Sequence, residues 1–271
     1  MDGPDAETWR RLLRRSPADA GLSSLYGPLL TSARPGERLV LGRIAQSLDG
    51  RIATTSGASR WISGPDDIAH THRLRALFDA VVVGAGTVHA DDPLLTTRVV
   101  EGPSPVRVVL DPRRRLDARC QLFQDGPETL LLCAEDAPDA HHLGPHRLAP
   151  DRLGHAHVVR LPHSGDTPRR DAILTLCPNA ILATLAARGL HRVFVEGGGV
   201  TVSRFLAAGA VDRLHVTIAP LLLGDGVPAF RLPPAASLTE ALRFDWTVHR
   251  LGADLLLDIP LPRPTGMTTP A

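Results

Sequence analysis

Short apolar runs alternate with amphipathic segments along most of the chain. The runs RLVLGRIA, DAVVVGAG, VRVVLDP and TLLLCAED are rich in Val, Leu and Ile, as in strands that are buried on both faces. The segments DDIAHTHRLRALF, AILATLAARGL and VTVSRFLAAGA have helical spacing, and Gly189 and Gly209 end the last two. This alternation predicts an α/β fold with a mostly parallel central sheet flanked by helices.

The pattern changes towards the C-terminus. The stretch VDRLHVTIAPLLLGDG predicts a long strand, and FDWTVHRLGADLLLDIP predicts a hairpin. A hairpin after a series of crossover units favours antiparallel pairing at one edge of the sheet. Residues 137–170 are rich in His, Pro, Gly and Asp and contain one weak strand, AHVVRLP, so we interpret them mainly as a polar linker.

Three parts of the chain differ in composition. We predict that residues 1–36 form a helical appendage and a linker. Trp9, Leu12 and Leu13 have helical spacing, and Pro17 ends the helix. Residues 37–262 form the main domain, and 263–271 are expected to be a flexible tail. We expect the N-terminal helix to pack on the main body or on a partner subunit.

Composition excludes several classes of protein. With 271 residues, 43% of them hydrophobic, the chain can bury a sizeable core, and a net charge of +1 argues against nucleic-acid binding. Neither an apolar run long enough to span a membrane nor a signal-peptide h-region is present, so we expect a cytoplasmic protein. The 3 cysteines form no C-x-x-C motif, and no H-x-E precedes them, so neither a disulfide framework nor a metal site is expected.

Polar residues and glycines follow several of the predicted strands. Ligands of open α/β sheets bind beyond the carboxyl ends of the strands, so these residues are candidates for a ligand cleft. Arg75 and Arg98 flank one strand, and the guanidinium fork suits a phosphate. The alternatives are structural roles: turn formation for Asp91 and the glycines, a solvated turn for the arginines after Asp111, and helix capping for Glu196.

The segment FVEGGGV, residues 194–200, joins a strand to a helix through three glycines. Such a turn typically holds a phosphate at the helix N-terminus, and Gly198 and Gly199 would let the backbone approach it closely. The dinucleotide-binding fingerprint is not met, however, because Val202 stands where its third glycine belongs. The turn therefore argues against a Rossmann-type dehydrogenase.

Four segments together resemble a known family. RIAQSLDGRIATTSGASRWISG, LRALFDAVVVGAGTVHADDPLLTTR, VVLDPRRRL and VFVEGGGVTVSRFLAAGAVDRLHVTIAPLLLGDG are similar to the reductase domain of the riboflavin-biosynthesis deaminase–reductases, the RibD C-terminal type. The resemblance covers residues 37–260, with the motifs in the family's order. It implies a dihydrofolate-reductase-like fold.

The resemblance also implies an activity and a site. The activity is NADPH-dependent 5-amino-6-(5-phosphoribosylamino)uracil reduction, with hydride transfer to C1′ of the ribose, and the family commonly forms homodimers. Glu196 and Arg43 would be catalytic. The cofactor site would comprise Ala45, Trp61, Thr87, Asp91, Gly198, Gly199, Val200, Thr201, Val202, Ser203 and Arg204. We add Asp111 to it from its position at a strand end, where the arginines that follow could meet the 2′-phosphate of NADP. The substrate would contact Ser59, Arg75, Leu95, Arg98 and Glu196.

Position 43 departs from the family pattern, because the bifunctional enzymes often have lysine where this chain has Arg43. Arginine stays charged and does not deliver a proton as a tuned lysine can. Two alternatives therefore stay open: an NADPH-dependent reductase of another pteridine or pyrimidine, including dihydrofolate-like substrates, and a non-catalytic protein that binds NADPH.

Overall fold

The computed structural model of the protein describes residues 3–31, 37–60, 62–138, 151–162 and 176–262. The helices are Ala6–Leu13 (α1), Gly27–Thr31 (α2), Pro65–Leu77 (α3), Ala85–Asp91 (α4), Pro178–Ala186 (α5) and Gly199–Ala207 (α6), with 3₁₀ turns at Pro17–Leu22 and Gln121–Phe123. The strands are Leu39–Ser47 (β1), Arg51–Thr54 (β2), Ala80–Gly84 (β3), Val106–Leu110 (β4), Thr129–Ala134 (β5), Arg152–Leu153 (β6), Ala156–Leu161 (β7), Arg192–Val195 (β8), Arg213–Ala219 (β9), Gly226–Pro228 (β10), Thr247–Leu251 (β11) and Asp254–Pro260 (β12). None of the described helices has the length and apolar character needed to cross a membrane.

The central sheet has the order β11-β12-β9-β1-β8-β3-β4-β5-β7-β6. Strands β9, β1, β8, β3, β4, β5 and β7 are parallel to one another. The C-terminal strands β11 and β12 form an antiparallel hairpin that adds to β9, and β6 pairs antiparallel with β7 at the other edge. The predicted α/β fold, with a mostly parallel sheet and an antiparallel C-terminal hairpin, is therefore confirmed.

The strands β3, β4 and β5 form the most apolar part of the sheet. Val82 pairs with Val108 of β4 and Val195 of β8, and Leu131 of β5 lies beside Val109. All five side chains are fully buried. Burial of both faces explains why these strands are continuously apolar in the sequence. Because the strands are parallel, their carboxyl ends lie at one edge of the sheet.

Helix α3 buries a polar face, which differs from the expectation of an apolar one. Its buried residues include Asp67, His70, His72 and Arg75. The opposing strands carry complementary groups: Thr217 Oγ1 donates to Asp67 Oδ1 at 2.7 Å. Because partners for these polar side chains come from distant strands, helical periodicity alone could not predict that they are buried.

The described part of the N-terminal segment shares one hydrophobic core with the sheet. Trp9 and Leu12 of α1 lie in that core, so the predicted helix packs on the main body. The Trp9 indole donates to Glu101 O at 2.7 Å, and Arg192 of β8 donates to Leu29 O at 2.8 Å. The division of the chain at residue 36 stays a prediction, and the expected tail, 263–271, lies outside the described residues.

Several elements were not predicted. Helix α4, directly after β3, is not among the predicted helices, and β2 pairs with β10 in a separate two-stranded sheet. The expected long strand ends at Ala219, and Pro220 follows it directly. A proline cannot donate to a strand ladder, which explains this early end.

Candidate active site

A cleft of about 660 Å³ opens at the carboxyl ends of the parallel strands. It is bounded by residues from the ends of β1, β3, β4 and β8 and from helices α4, α5 and α6. The location agrees with the general position of ligand sites in open α/β sheets. Its lining residues include Arg43, Ala45, Ser59, Thr87, Asp91, Arg115, Gly197, Gly198, Thr201 and Arg204.

The three-glycine turn packs tightly against α4 and against the segment after β10. Gly197 has a φ of +97°, and a Cβ there would lie 2.8 Å from Thr87 Oγ1. A Cβ on Gly199 would lie 2.2 Å from the Ala229 carbonyl oxygen. Gly198 N donates to Thr87 Oγ1 at 2.8 Å. Steric contact therefore requires glycine at 197 and 199, and the first turn of α6 begins directly at the cleft.

The charged residues that line the cleft are predominantly cationic. Arg43, Arg115 and Arg204 are lining residues, whereas Asp91 is the one carboxylate among them. The N-terminus of α6, a helix of nine residues, adds the partial positive charge of its unpaired N–H groups. Together these groups suit an elongated ligand that carries phosphate groups.

Ser59 and Asp91 meet on one wall of the cleft. Ser59 Oγ donates to Asp91 Oδ1 at 3.1 Å. Both residues line the cleft and are partly exposed. The pair connects the loop after β2 to the end of α4 and presents a hydroxyl and a carboxylate to a ligand.

Arg43 is held from behind by a buried carboxylate. Its Nη2 donates to Asp67 Oδ2, and both side chains are about nine-tenths or more buried. Burial by itself would raise the pKa of Asp67, but the Arg43 charge and hydrogen bonds from Arg43, Ser63 and Thr217 bring that pKa below its ordinary value. The pair is therefore ionised, with the cation on the cleft side.

Arg75 and Glu196 form a second buried ion pair. Arg75 Nη2 donates to Glu196 Oε1 at 2.6 Å, and Nε donates to Oε2 at 3.3 Å. The remaining Nη1 donates to Thr96 O at 3.1 Å. Every nitrogen of this guanidinium therefore has a protein acceptor, and the pair fixes the loop that leads to Arg98.

Arg98 has a more open environment. Its side chain is exposed, while its backbone N–H donates to His72 Nδ1 at 3.1 Å. Burial, with the nearby charges of Arg75 and Arg98, lowers the pKa of His72 to about 4, so the ring is a neutral acceptor near neutral pH. Leu95, in the same loop, is buried with a φ of +55°, which marks a tight reversal of the chain.

The structure brings only part of the predicted site together. The cleft is lined by Arg43, Ala45, Ser59, Thr87, Asp91, Gly198, Val200, Thr201 and Arg204. The other described candidates are not among its lining residues: Arg75, Leu95, Arg98, Asp111, Glu196, Gly199, Val202 and Ser203. Asp111 instead accepts the backbone N–H of Leu116 at 2.8 Å within its own turn. Trp61 lies outside the described residues.

Sequence reasoning missed residues that act through tertiary contacts. Asp67, His72 and Thr217 are buried polar residues in a helix and a strand, where no local signal distinguishes them from solvated positions. Arg115 was considered only as one of three arginines in a turn, yet it alone of the three lines the cleft. Within the described residues, no cluster of His, Cys, Asp or Glu is arranged to hold a metal ion.

A family model described as the RibD C-terminal domain matches residues 38–254. The chain belongs to this family. The predicted resemblance is therefore confirmed, and the match includes every strand-end segment that contributes to the cleft.

Curated relatives of the RibD family differ in how much of their length the chain spans. It is 31% identical over 241 residues to the riboflavin biosynthesis protein RibD of Mycobacterium tuberculosis, covering 86% of this chain but 58% of that protein. It is 35% identical over 226 residues to a 2,5-diamino-6-ribosylamino-4(3H)-pyrimidinone 5′-phosphate reductase of Methanothermobacter thermautotrophicus, covering 81% of this chain and 96% of that protein. The chain thus spans about three-fifths of the bacterial relative and nearly all of the archaeal one.

Solved structures of RibD proteins have the same fold. The deaminase/5-amino-6-(5-phosphoribosylamino)uracil reductase of Thermotoga maritima matches with a TM-score of 0.66 and 26% identity, over 90% of this chain and 61% of that one. RibD of Acinetobacter baumannii matches with a TM-score of 0.67 and 26% identity, over 89% and 62%.

Proposed function

We propose that the protein is an NADPH-dependent reductase of a phosphoribosylaminopyrimidine in riboflavin biosynthesis. The observation that carries this proposal is the cleft, where a glycine turn, the N-terminus of α6 and three arginines converge at the carboxyl ends of the strands. The names of the archaeal reductase and of the Thermotoga maritima reductase support the same reaction class.

The residues present fit a phosphate-bearing dinucleotide. A Cβ-free turn at Gly197–Gly199 gives a pyrophosphate close access to the first turn of α6, and the cleft volume is in the range of cofactor sites. Ala45, Thr87, Asp91 and Thr201 would complete the cofactor site. We assign the 2′-phosphate to Arg115, one of the three arginines after Asp111, because Arg115 lines the cleft and is cationic. When bound, NADPH supplies the hydride.

The substrate would lie between Ser59 and the loop that carries Arg98. The exposed guanidinium of Arg98 would bind the 5′-phosphate. The Ser59 hydroxyl, which donates to Asp91 Oδ1 in this structure, would turn its proton to the phosphate when the substrate binds. Arg75 would act differently from the initial hypothesis: its donors already bind Glu196 and Thr96, so it would hold Glu196 in place for the pyrimidine or the sugar.

Arg43 would stabilise the charge that develops on the sugar. C1′ of the ribose gains a hydride as its bond to the ring oxygen breaks, and the electron pair of that bond passes to the oxygen, which then takes up a proton. A fixed guanidinium near that oxygen stabilises the developing negative charge. Because arginine stays protonated, the proton itself would come from solvent rather than from residue 43.

The test is an NADPH oxidation assay with three substrates, in which the decrease in NADPH absorbance measures the rate. These are the deaminated phosphoribosylaminopyrimidine, its undeaminated form and dihydrofolate. We expect turnover with at least one phosphoribosyl compound and none with dihydrofolate. Turnover with dihydrofolate alone would indicate the other reductase class, and tight NADPH binding without any oxidation would indicate a non-catalytic protein.

Arg98→Ala tests the phosphate assignment. The loss of one charge-assisted hydrogen bond costs about 1.5–3 kcal/mol of binding free energy. It should therefore raise KM for the phosphorylated substrate by about 10- to 100-fold, with little change in KM for NADPH. The control is Arg188→Ala, which removes an exposed arginine after α5 and should change neither constant. An unchanged KM in Arg98→Ala would exclude Arg98 as the phosphate ligand.

We also propose that two chains associate through the outer face of the C-terminal hairpin. The long strand β9 lies inside the sheet between β1 and β12 and therefore has no free edge. Exposed apolar side chains instead lie on and just before the hairpin: Trp246 is 57% exposed, Val248 52% and Leu255 41%.

Light scattering tests this association. The wild-type protein should have the mass of a dimer, and Val248→Glu should have the mass of one chain. A single-chain mass for the wild type would refute the proposal.

A further inference from the structure

A carboxylate behind the cleft contacts one of its cationic residues. Asp67, in the first turns of α3, is 1% exposed and does not line the cleft. Its Oδ2 accepts from Arg43 Nη2, and its Oδ1 accepts from Thr217 Oγ1 at 2.7 Å. Thr217 lies directly beside Ala45 in the paired strands β9 and β1. Three elements therefore fix the orientation of this carboxylate.

The orientation of Asp67 determines the orientation of Arg43. The guanidinium is planar, so fixing Nη2 at one buried oxygen restricts the direction of the other N–H groups. Arg43 is 8% exposed, which leaves its side chain little freedom to rotate away from Asp67. A lysine at this position would have a single ammonium group, and the buried carboxylate would attract that group away from the cleft.

We propose that Asp67 is a positioning residue, which holds the Arg43 guanidinium towards the sugar oxygens of a phosphoribosyl ligand. This inference rests on the proposed function and adds a reason for arginine at position 43. The Asp67–Thr217 contact orients the carboxylate, the carboxylate orients the cation, and the cation meets the ligand. Preorganised charge of this kind is most effective when it does not have to move during the reaction.

The test compares Asp67→Asn with Asp66→Asn. Asp66 is the neighbouring carboxylate on α3, but it is exposed and belongs to neither the cleft nor the Arg43 contact. Misplacement of a reacting group can cost up to about a hundredfold, so Asp67→Asn should lower kcat by about 10- to 100-fold with KM for NADPH unchanged. Asp66→Asn should have wild-type kcat, and Asp67→Glu should recover part of the loss.

A double-mutant cycle separates positioning from a merely structural role. If Asp67 acts through Arg43, then Arg43→Lys should cost much less in the Asp67→Asn background than in the wild type. The inference would be overturned if the kcat losses of the two single variants multiplied in the double variant. It would also be overturned if a lower melting temperature fully accounted for the kcat loss in Asp67→Asn. A wild-type kcat in Asp67→Asn would overturn it while leaving the proposed function intact.

Binding of ribose 5-phosphate gives a readout that does not need turnover. Calorimetry should show that Arg43→Ala and Asp67→Asn weaken the binding of this probe by similar factors, whereas Asp66→Asn does not weaken it. If the wild-type protein oxidises no NADPH, the proposed reaction fails, and this comparison still decides on Asp67. Equal affinity in wild type and Asp67→Asn, or no binding by any variant, would overturn the inference.

Discussion

The two halves of the sheet are held together by different physical means. The parallel half, β3, β4 and β5, buries mainly Val and Leu side chains on both faces. The half formed by β1, β9 and the C-terminal hairpin buries Arg43, Thr217, His215 and Asp258 against α3 and its neighbours. The first half depends on apolar contact, whereas the second also depends on hydrogen bonds and ion pairs between its buried polar groups.

A chain of contacts crosses the polar half. Tyr26 Oη lies 3.0 Å from His70 Nδ1, and His70 Nε2 lies 3.1 Å from His215 Nδ1. His215 Nε2 lies 3.2 Å from Asp258 Oδ1, which Arg213 also contacts. These contacts connect the N-terminal segment to the C-terminal hairpin. The comparison teaches that the N-terminal segment is attached to the sheet by a buried polar network as well as by apolar contacts.

The largest expected effect is the loss of Asp258. Its removal leaves Arg213 and His215 without their shared carboxylate in a buried site, so Asp258→Ala should lower the free energy of unfolding by about 3–5 kcal/mol. Urea unfolding measures this change. Arg250→Ala, an exposed change in the same hairpin, should stay within about 0.5 kcal/mol of the wild type. Equal stabilities for the two variants would show that the network contributes nothing.

A cavity in the apolar half should have a somewhat smaller effect. Leu131 is fully buried in β5, and Leu131→Ala removes its packing without leaving an unpaired charge, at a cost of about 2–5 kcal/mol. Leu222, which is 70% exposed, is the control, and its change to alanine should alter stability by less than about 0.5 kcal/mol. A loss in Leu131→Ala that exceeds the loss in Asp258→Ala would reverse our ranking of the two halves.

Acid should weaken the polar half selectively. Burial lowers the pKa of His70 well below its ordinary value, with the nearby His215 and Arg43 acting in the same direction, and burial also lowers the pKa of His215. Because the folded pKa values lie below the unfolded value of about 6.5, the stabilisation is complete above that pH. As pH falls below it, the unfolded chain takes up protons and stability decreases by up to about 1.4 kcal/mol per pH unit for each histidine.

Urea unfolding between about pH 8 and pH 5 measures this dependence. His72 and His249 also have lowered pKa values, so the wild-type slope contains more than the two histidines of the network. His70→Gln keeps a polar side chain that does not titrate, and its slope should be shallower than that of the wild type. Leu131→Ala should keep the wild-type slope. Identical slopes in His70→Gln and wild type would contradict a neutral, buried His70.

The smallest effect is expected at the end of the network. Tyr26→Phe removes only the hydroxyl that contacts His70 and should cost about 1 kcal/mol. Burial raises the pKa of Tyr26 to about 12, so the hydroxyl is protonated throughout the range of these experiments. Limited proteolysis of the N-terminal segment should accelerate in this variant. If stability and cleavage rate were both unchanged, the N-terminal segment would be held only by the apolar contacts of Trp9 and Leu12.

The candidate site, like the apolar half of the sheet, was partly predictable from local sequence patterns. Gly198 and Thr87 follow strands, and the ends of strands are where a sheet of this type binds ligands. The contact between Gly198 and Thr87 joins residues 111 positions apart, which no local pattern indicates. Likewise, Arg75 and Glu196 were both predicted to face the substrate, but only the structure pairs them with each other.

The sequence by itself determined the α/β class, the order of the main elements and the glycine turn before α6. These features follow from hydrophobic periodicity and from the steric needs of single residues, which are local properties. The tertiary structure decided which charged residues are buried, which partner each one has and which of the strand-end residues reach the cleft. Those properties depend on contacts between distant segments, because a buried charge is stable only where another element supplies its partner.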